Sequence, residues 1–153
     1  MAEDGTLVTE FCAALKNGDT TDVERVFTKC MGKTISIRDT AVRKEFKENF
    51  YHGLILGIMF YKSDWGVSSN GEAGDGFYDI QIEIEEEGIG IIIEVKYAEG
   101  GNLNAACKEA LDQINKNNYT AELKEDDMHK ILKYGIACYK KQCEVVMEKE
   151  VWY

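Results

Sequence analysis

The stretch of sequence that decides the fold reads FYDIQIEIEEEGIGIIIEVKY and occupies residues 77–97. Within the predicted strand 77–86, isoleucines at every second position alternate with polar side chains, as expected when one face of a strand is buried. The sequence Glu86-Glu87-Gly88 predicts the turn of a hairpin. Residues 89–97 then stay apolar on both faces until two charged residues near the end, which is typical of a central strand.

Helical patterns precede and follow this hairpin. The predicted helices cover residues 6–16, 19–31, 39–60 and 103–117, and two further strands are predicted over 131–139 and 143–147. Asp39 and Asn102 are the expected N-caps of the third and fourth helices, and Asp19 or Thr20 is the expected N-cap of the second. The order of elements predicts a small helical lead-in followed by a mixed α/β body.

The helix over 39–60 has the strongest periodic signal. Apolar residues recur four positions apart and predict one buried stripe: Val42, Phe46, Phe50, Leu54 and Ile58. Gly53 and Gly57 interrupt the helix, each at a cost of about 1 kcal/mol relative to alanine. We interpret both as positions of close packing on a sheet rather than as ligand sites. A stretch rich in Gly, Ser and Asn, residues 68–76, then breaks the pattern.

Length and composition fit one domain with a self-sufficient core, since the chain has 153 residues and 44% of them are apolar. No apolar run approaches the ~20 residues of a membrane span, and the acidic N-terminus lacks the pattern of a signal peptide. The five cysteines form no CxxC pair, so free thiols are expected rather than disulfides or a structural zinc site. We therefore expect a cytoplasmic protein that does not contact membranes.

The net charge of −10 is concentrated in the middle of the chain. Residues 39–98 hold five basic and twelve acidic side chains, whereas the segments on either side are nearly balanced. No stripe of Lys and Arg of the kind that neutralises phosphates is visible, so the charge does not indicate strong binding to nucleic acid. The acidity can be an ordinary solvated surface or a group of carboxylates that holds a cation, and charge alone favours the first.

Three charged residues on neighbouring strands form a candidate site. Asp79 lies on the polar face of the first predicted strand, and Glu94 and Lys96 share one face of the second because positions i and i+2 point the same way. If the hairpin pairs as predicted, two carboxylates and an ammonium meet where a central strand is otherwise apolar, and their burial needs compensation. A Mg²⁺ or Mn²⁺ ion compensates, since it takes one or two carboxylates together with waters and substrate phosphate.

A structural interpretation stays open beside the metal site. Lys96 can hold an attacking water or stabilise charge that develops on phosphate oxygens. It can equally pair with Glu94 or Asp79 in an ordinary ion pair at the end of a strand. The chemistry of the three residues does not by itself separate these two interpretations.

The spacing of these residues resembles the D…ExK signature of the PD-(D/E)XK nuclease superfamily, because fourteen residues separate Asp79 from Glu94-Val95-Lys96. Five longer phrases resemble the PD-(D/E)XK domain found at the C-terminus of AAA-ATPase-like bacterial proteins. They are ENFYHG at 48–53, SNGEAGDGFYD at 69–79, IIEVK at 92–96, ALDQI at 110–114 and KYGIA at 133–137. The resemblance covers residues 40–147. It implies a helical connector over 1–38 and a nuclease-like domain over 39–153 within one compact unit.

The resemblance implies a restriction-endonuclease-like fold, with a central mixed β-sheet flanked by α-helices, and hydrolysis of phosphodiester bonds in DNA with Mg²⁺ or Mn²⁺. Asp79 and Glu94 match the acidic metal ligands of the family, and the Val95 carbonyl matches its backbone ligand. Lys96 matches the catalytic lysine. The implied partners are nucleic acid, bound weakly by the isolated chain, and an AAA-ATPase-like domain or protein.

Further residues are candidates for auxiliary roles: Glu48, His52, Glu72, Gln113 and Tyr119. Gln113 and Tyr119 resemble the glutamine and tyrosine that some nuclease branches place on the helix after the motif. From the residues alone, Gln113 can equally make a buried hydrogen bond to the sheet. Glu48 and His52 lie one helical turn apart, either to orient a water on the metal or on a solvated face.

Three functions compete at this point. The complete set of Asp79, Glu94 and Lys96 favours a metal-dependent nuclease. The second is a nuclease-fold module that binds nucleic acid or a partner with little or no turnover. Relatives commonly carry arginine where this chain has Gly71 and Phe77, and this difference, with the acidic surface, favours the second or the third alternative. The third alternative is an interaction domain that forms a homo-oligomer and whose acidic sheet face only resembles a site.

Overall fold

A mixed β-sheet forms the centre of the chain, which the computed structural model describes at residues 2–34, 44–60, 64–74 and 76–151. The strands are β1 (Gly66–Ser69), β2 (Glu72–Ala73), β3 (Gly76–Phe77), β4 (Ile80–Ile84), β5 (Ile89–Tyr97), β6 (Lys130–Tyr139) and β7 (Gln142–Val151). The large sheet has the order β1-β4-β5-β6-β7, and β2 pairs with β3 in a separate ribbon. Strands β5 and β6 are parallel, and the other neighbours in the large sheet are antiparallel.

Helices cover both faces of this sheet. They are α1 (Ala2–Asn17), α2 (Thr20–Thr34), α3 (Lys44–Met59), α4 (Leu103–Lys116) and α5 (Ala121–Glu125). Helices α1, α2 and α3 pack on one face, and α4 and α5 pack on the other. The fold class is therefore α/β with a central mixed sheet flanked by helices, as predicted. None of the described helices has the length and apolarity needed to cross a membrane.

Strand β5 is buried on both faces, which explains its nearly unbroken apolar sequence. Its odd-numbered residues join the core beneath α1, α2 and α3. Ile92 packs instead with Ile114 of α4 and Ile131 of β6. Because side chains alternate along a strand, Glu94 and Lys96 point to the same side as Ile92, toward α4.

The predicted hairpin is confirmed. Strands β4 and β5 pair in antiparallel register, with Ile82 opposite Ile91. A short 3₁₀ turn over Glu85–Glu87 connects them and ends at Gly88, whose φ is +65°. Glycine suits this left-handed conformation because it has no Cβ.

Helix α3 packs on the sheet through a face that overlaps the predicted stripe only in part. Ile58 is buried and Leu54 packs against the core as predicted. Tyr51 and Ile55 are also buried, whereas Phe50 of the predicted stripe is 42% exposed. Both stripes are apolar at four-residue spacing, so the period does not decide which of them packs. Gly53 and Gly57 are exposed and a Cβ added at either meets nothing within 4 Å, so their interpretation as close-packing positions is wrong.

Side-chain caps fix the starts of two helices. The Asp19 carboxylate accepts a hydrogen bond from the Asp22 N–H at 3.1 Å at the start of α2. The Asn102 side chain accepts one from the Ala105 N–H at 3.2 Å at the start of α4. Both residues are among the predicted caps. Other predicted positions lie outside the described residues: Asp39, Val42 and the side chain of Phe46.

The helical lead-in is a layer of the same core. Tyr134 in β6 donates its hydroxyl hydrogen to the Leu15 carbonyl at 2.7 Å, and the Val145 N–H donates to the Glu24 carboxylate at 2.8 Å. The largest apolar side chains of α1 and α2 are fully buried with residues of the sheet: Phe11, Leu15, Phe27 and Met31. Residues 2–34 therefore cover one face of the sheet rather than lying apart from it.

Candidate active site

Asp79 and Glu94 meet where the pairing of β4 with β5 ends. The last paired residues are Ile80 and Ile93. Beyond them, Asp79 Oδ2 accepts a hydrogen bond from the Val95 N–H at 2.8 Å, so a carboxylate replaces the strand partner of β5. Glu94 Oε2 accepts a hydrogen bond from the Asp79 N–H at 3.4 Å. These contacts fix the two carboxyl groups beside each other on the α4 side of the sheet.

The environment disfavours the charged form of both carboxyl groups. Glu94 is 3% exposed, and burial together with the charge of Asp79 raises its pKa to about 8. Burial also raises the pKa of Asp79 above its ordinary value, although the Val95 N–H, His52 and Lys96 act against this shift. Two ionised carboxylates in such a place repel each other unless a cation compensates them.

Lys96 lies close to both carboxyl groups without pairing with either. It is half-buried, and its charge lowers the pKa of Asp79 and of Glu94. Among the ion pairs of the described residues, none within 4 Å joins Lys96 to these carboxylates. The ordinary ion pair that the sequence left open is therefore not formed. The ammonium group can instead act on an anionic ligand.

Helix α4 holds Glu94 from the other side. Gln113 Nε2 donates to Glu94 Oε1 at 2.8 Å and to the Tyr119 hydroxyl at 3.3 Å. The same hydroxyl accepts a hydrogen bond from Asn117 Nδ2 at 3.1 Å. Gln113 thus makes the buried hydrogen bond to the sheet that the residues alone left open. No sequence pattern points to Asn117, because its contact depends on how the turn after α4 folds back.

Two residues of α3 reach the same edge of the sheet. His52 is 9% exposed, and its Nε2 lies 2.9 Å from Ser69 Oγ. Glu48 Oε1 accepts a hydrogen bond from the Tyr97 N–H at 3.3 Å. Asp79 and Glu48 therefore accept from successive outward N–H groups of β5, two residues apart. The structure does not place Glu48 and His52 on a solvated face.

The glycine-rich stretch before β4 is set by packing. A Cβ added at Gly71 would overlap the Tyr78 hydroxyl, so a larger side chain there requires Tyr78 to move. The backbone of Glu72 pairs with Phe77 in the β2–β3 ribbon, and the side chains of these two residues are outside the described part of the chain. The auxiliary role of Glu72 stays a prediction.

The donor set suits a hard divalent cation. Asp79 and Glu94 supply carboxylate oxygens, and the Val95 carbonyl faces the same edge as its N–H because both groups of a strand residue point to one side. No group of three or more His, Cys, Asp and Glu side chains within the described ranges is arranged to hold a metal. Two carboxylates and a carbonyl leave coordination positions for waters and phosphate, which is how Mg²⁺ is commonly bound.

A second acidic group lies farther along the same face of β4. Burial and the neighbouring Asp126 raise the pKa of Glu83 to about 7, with smaller effects of Glu122 and Glu85. We call this acidic group the Glu83 cluster. An open depression of about 550 Å³ lies over it. Its lining residues are Glu83, Glu85, Glu125, Asp126, Asp127 and Met128. Sequence reasoning placed Glu83 on the polar face but did not pair it with the turn after α5.

Comparison with known proteins agrees with this geometry. Residues 46–148, about two thirds of the chain, match the PD-(D/E)XK nuclease superfamily. No curated protein matches the chain. The matched region contains the β4–β5 hairpin, both carboxyl groups, Lys96 and helix α4. The family-level resemblance is confirmed: this chain belongs to the PD-(D/E)XK nuclease superfamily.

Proposed function

We propose that this protein is a metal-dependent nuclease that hydrolyses phosphodiester bonds of DNA. The observation that carries the proposal is the contact of the half-buried Asp79 carboxyl group with the buried Glu94 carboxyl group, beside an ammonium group that pairs with neither. Such an arrangement is costly in the absence of a cation and is suited to binding one. Membership of the superfamily supports the same activity.

Asp79, Glu94 and the Val95 carbonyl are the groups that would hold Mg²⁺ or Mn²⁺. When bound, the ion supplies a Lewis acid for a phosphate oxygen and makes a coordinated water more acidic. Glu94 is held in one orientation by Gln113, and Asp79 is held by the Val95 N–H. Each oxygen keeps a free lone pair for a ligand, because one hydrogen bond uses only part of its capacity.

Lys96 is the residue we assign to the phosphate. Its ammonium group can bind a non-bridging oxygen and stabilise the negative charge that grows there in the transition state. Partial burial strengthens this interaction because the surrounding protein screens charge less than water does. The backbone that carries this side chain is fixed, because Lys96 lies on a central strand of the sheet.

The proposal includes partners. An AAA-ATPase-like domain or protein would bring the substrate to the site in the cytoplasm, and a second copy of the chain can add to the binding surface. The net charge of −10 supports a need for such help, because the isolated chain repels the phosphate backbone over most of its surface.

A binding module with little turnover is the second candidate. The net charge of −10 favours it, because an acidic chain attracts a nucleic-acid substrate only weakly. In that case the chain would bind nucleic acid or a partner without cleaving it.

The test is cleavage of single- and double-stranded DNA by the whole chain, with Mg²⁺, Mn²⁺ or EDTA. We expect cleavage only with metal, its loss in Asp79→Asn, and its retention in the matched acidic control Glu83→Gln. Cleavage in EDTA, or equal cleavage by all three proteins, would contradict the proposal. Binding of DNA without any cleavage would assign the second candidate.

A further inference from the structure

We propose that an unpaired nucleic-acid strand docks on a row of aromatic rings and lysines beside the candidate active site. This inference rests on the proposed nuclease function and names the form of its substrate. We call the row the aromatic–lysine surface. It consists of Lys47, Phe50, Tyr51, Tyr97, Tyr139 and Lys140.

The rings of this surface form a continuous row across three elements. Phe50 and Tyr51 of α3 meet edge to face, with their ring centroids 5.5 Å apart. Tyr51 stacks on Tyr97 of β5 at 6.3 Å and 11° between the ring planes. Tyr97 contacts Tyr139 of β6 at 5.8 Å. Bases can reach the two ends of the row, since Phe50 is 42% exposed and Tyr139 is half-buried. Tyr51 and Tyr97 between them are buried and hold the two ends in place.

Two lysines lie against these rings. Lys47 Nζ is 4.5 Å from the centroid of the Tyr97 ring and donates to its hydroxyl at 3.1 Å. Lys140 Nζ is 5.3 Å from the centroid of the Tyr139 ring. The Tyr51 hydroxyl donates to the Lys140 carbonyl at 2.8 Å and so fixes the β6–β7 turn against α3. These contacts hold cations and rings together in one place.

The aromatic–lysine surface lies at the end of the sheet that holds the candidate site. Tyr97 follows Lys96 directly, and Glu48 of α3 accepts the hydrogen bond from its N–H. Because β5 and β6 are parallel, Tyr97 lies opposite Cys138, one residue before Tyr139. The surface and the candidate site therefore share one end of the sheet, with Tyr97 on the α3 side and Glu94 and Lys96 on the α4 side.

The chemistry of the surface fits an unpaired strand better than a duplex. Bases of an unpaired strand stack on exposed rings while lysines follow the phosphates, and such stacking does not depend on base identity. In a duplex the bases already stack on one another, so the exposed Phe50 ring would find no partner. The cations matter because the chain is acidic overall, which leaves few places that attract phosphate.

The test measures the binding of two fluorescent DNAs by anisotropy, in EDTA and about 50 mM salt, so that no cleavage occurs. The probes are a single strand of about 20 thymidines and a duplex of the same length. We expect the single strand to bind at least about tenfold more tightly than the duplex. Phe50→Ala and Lys140→Glu should each weaken single-strand binding about tenfold.

Matched controls separate this surface from general effects. Phe60→Ala removes a 70% exposed ring from the far end of the same helical region, and Lys149→Glu makes the same charge change at an exposed position opposite Leu132. Both should bind like the unmodified chain, and all four variants should keep its melting temperature. Equal losses in variants and controls, preference for the duplex, or no binding at all would overturn the inference. Metal-dependent cleavage that is lost in Asp79→Asn would still support the nuclease if the docking surface failed.

Discussion

Two acidic groups, one around Asp79 and one around Glu83, lie on one face of β4 and suit different chemistry. Asp79 meets Glu94 at one end of the strand, and Glu83 meets Asp126 at the other. Burial is the largest cause of the raised pKa in both, to about 8 for Glu94 and about 7 for Glu83. A raised pKa alone therefore does not distinguish the two groups.

Their surroundings do distinguish them. Around Glu94, the amide of Gln113 and the ammonium of Lys96 act on the carboxyl groups, so donors and a cation converge. Around Glu83, the neighbouring charges that shift its pKa are those of other carboxyl groups, and the depression is open. The first group presents an amide donor and a cation to an anionic substrate, whereas the second presents further carboxyl groups.

Among substitutions that remove the difference between the two groups, the largest expected effect is on the rate of DNA cleavage. Lys96→Ala should lower the rate of DNA cleavage by about 10²–10³, because removing one preorganised charge costs roughly 3–4 kcal/mol in the transition state. Metal binding should persist in this variant, whereas Asp79→Ala should lose metal affinity as well. Single-turnover cleavage with Mn²⁺, measured with the melting temperature on the same samples, checks both expectations.

Lys133 provides the control for this experiment. It is a buried lysine on the same sheet face, and it pairs with Glu150 at 2.8 Å and with Glu148 at 3.2 Å. Lys133→Ala should lower the melting temperature and leave the cleavage rate of the folded fraction unchanged. A large stability loss with unchanged cleavage in Lys96→Ala would show that Lys96 has the same structural role as Lys133.

The next effect is stabilisation by metal. At a hundredfold excess over its Kd, Mn²⁺ should add about 2.7 kcal/mol to the free energy of unfolding, or about 5–10 °C in melting temperature. Glu94→Gln should remove this shift, and Glu83→Gln should retain it. Equal melting temperatures in Mn²⁺ and EDTA for the unmodified chain would argue against a metal site, and a shift lost in Glu83→Gln would relocate it.

A smaller effect should appear in the pH dependence of stability. The pKa of Glu83 is raised from 4.5 to about 7, so folding favours its protonated form. This contribution is fully present below pH 4.5 and is lost as the pH rises through 7. In EDTA, Glu83→Gln should reduce the fall in the free energy of unfolding between about pH 5 and pH 8 by roughly 1 kcal/mol, since Glu83 is partly exposed. A parallel pH profile in both proteins would contradict this expectation.

The smallest effect concerns Gln81, which lies between the two acidic groups on β4. It is 3% exposed, and its side-chain oxygen is buried without a hydrogen-bond partner. Gln81→Met should therefore leave stability unchanged or raise it by about 0.5–1 kcal/mol, because an unsatisfied polar atom is removed. Denaturant unfolding measures this change. A loss above about 2 kcal/mol would show that the amide links the two groups.

The elements with a strong local signal could be predicted from the sequence. Strand β5 covers the predicted residues 89–97, and α4 ends one residue before its prediction. Strand β1 was missed, because its four residues are small or polar and pair through backbone groups with β4. Strand β7 extends past the predicted end at residue 147, since Glu148 and Glu150 read as a solvated segment although they pair with Lys133.

The candidate site also has contacts that the sequence pattern predicts and contacts that it does not predict. Alternation along two strands was enough to bring Asp79, Glu94 and Lys96 to one face. The bond from the Tyr97 N–H to Glu48 and the contact of His52 with Ser69 depend on which face of α3 packs against the sheet. The sequence pattern selected the other stripe, so these contacts could not be derived from it.

The hydrogen bond from the Tyr134 hydroxyl to the Leu15 carbonyl limits how far this chain can be truncated for expression. A fragment limited to residues 46–148 would lack α1 and α2, so this buried hydroxyl and the Val145 N–H would lose their partners. The apolar face of the sheet under those helices would be open to water, and the fragment would tend to aggregate. The cooperative folding unit is therefore larger than the family signature, and fragments for expression should retain the first 34 residues.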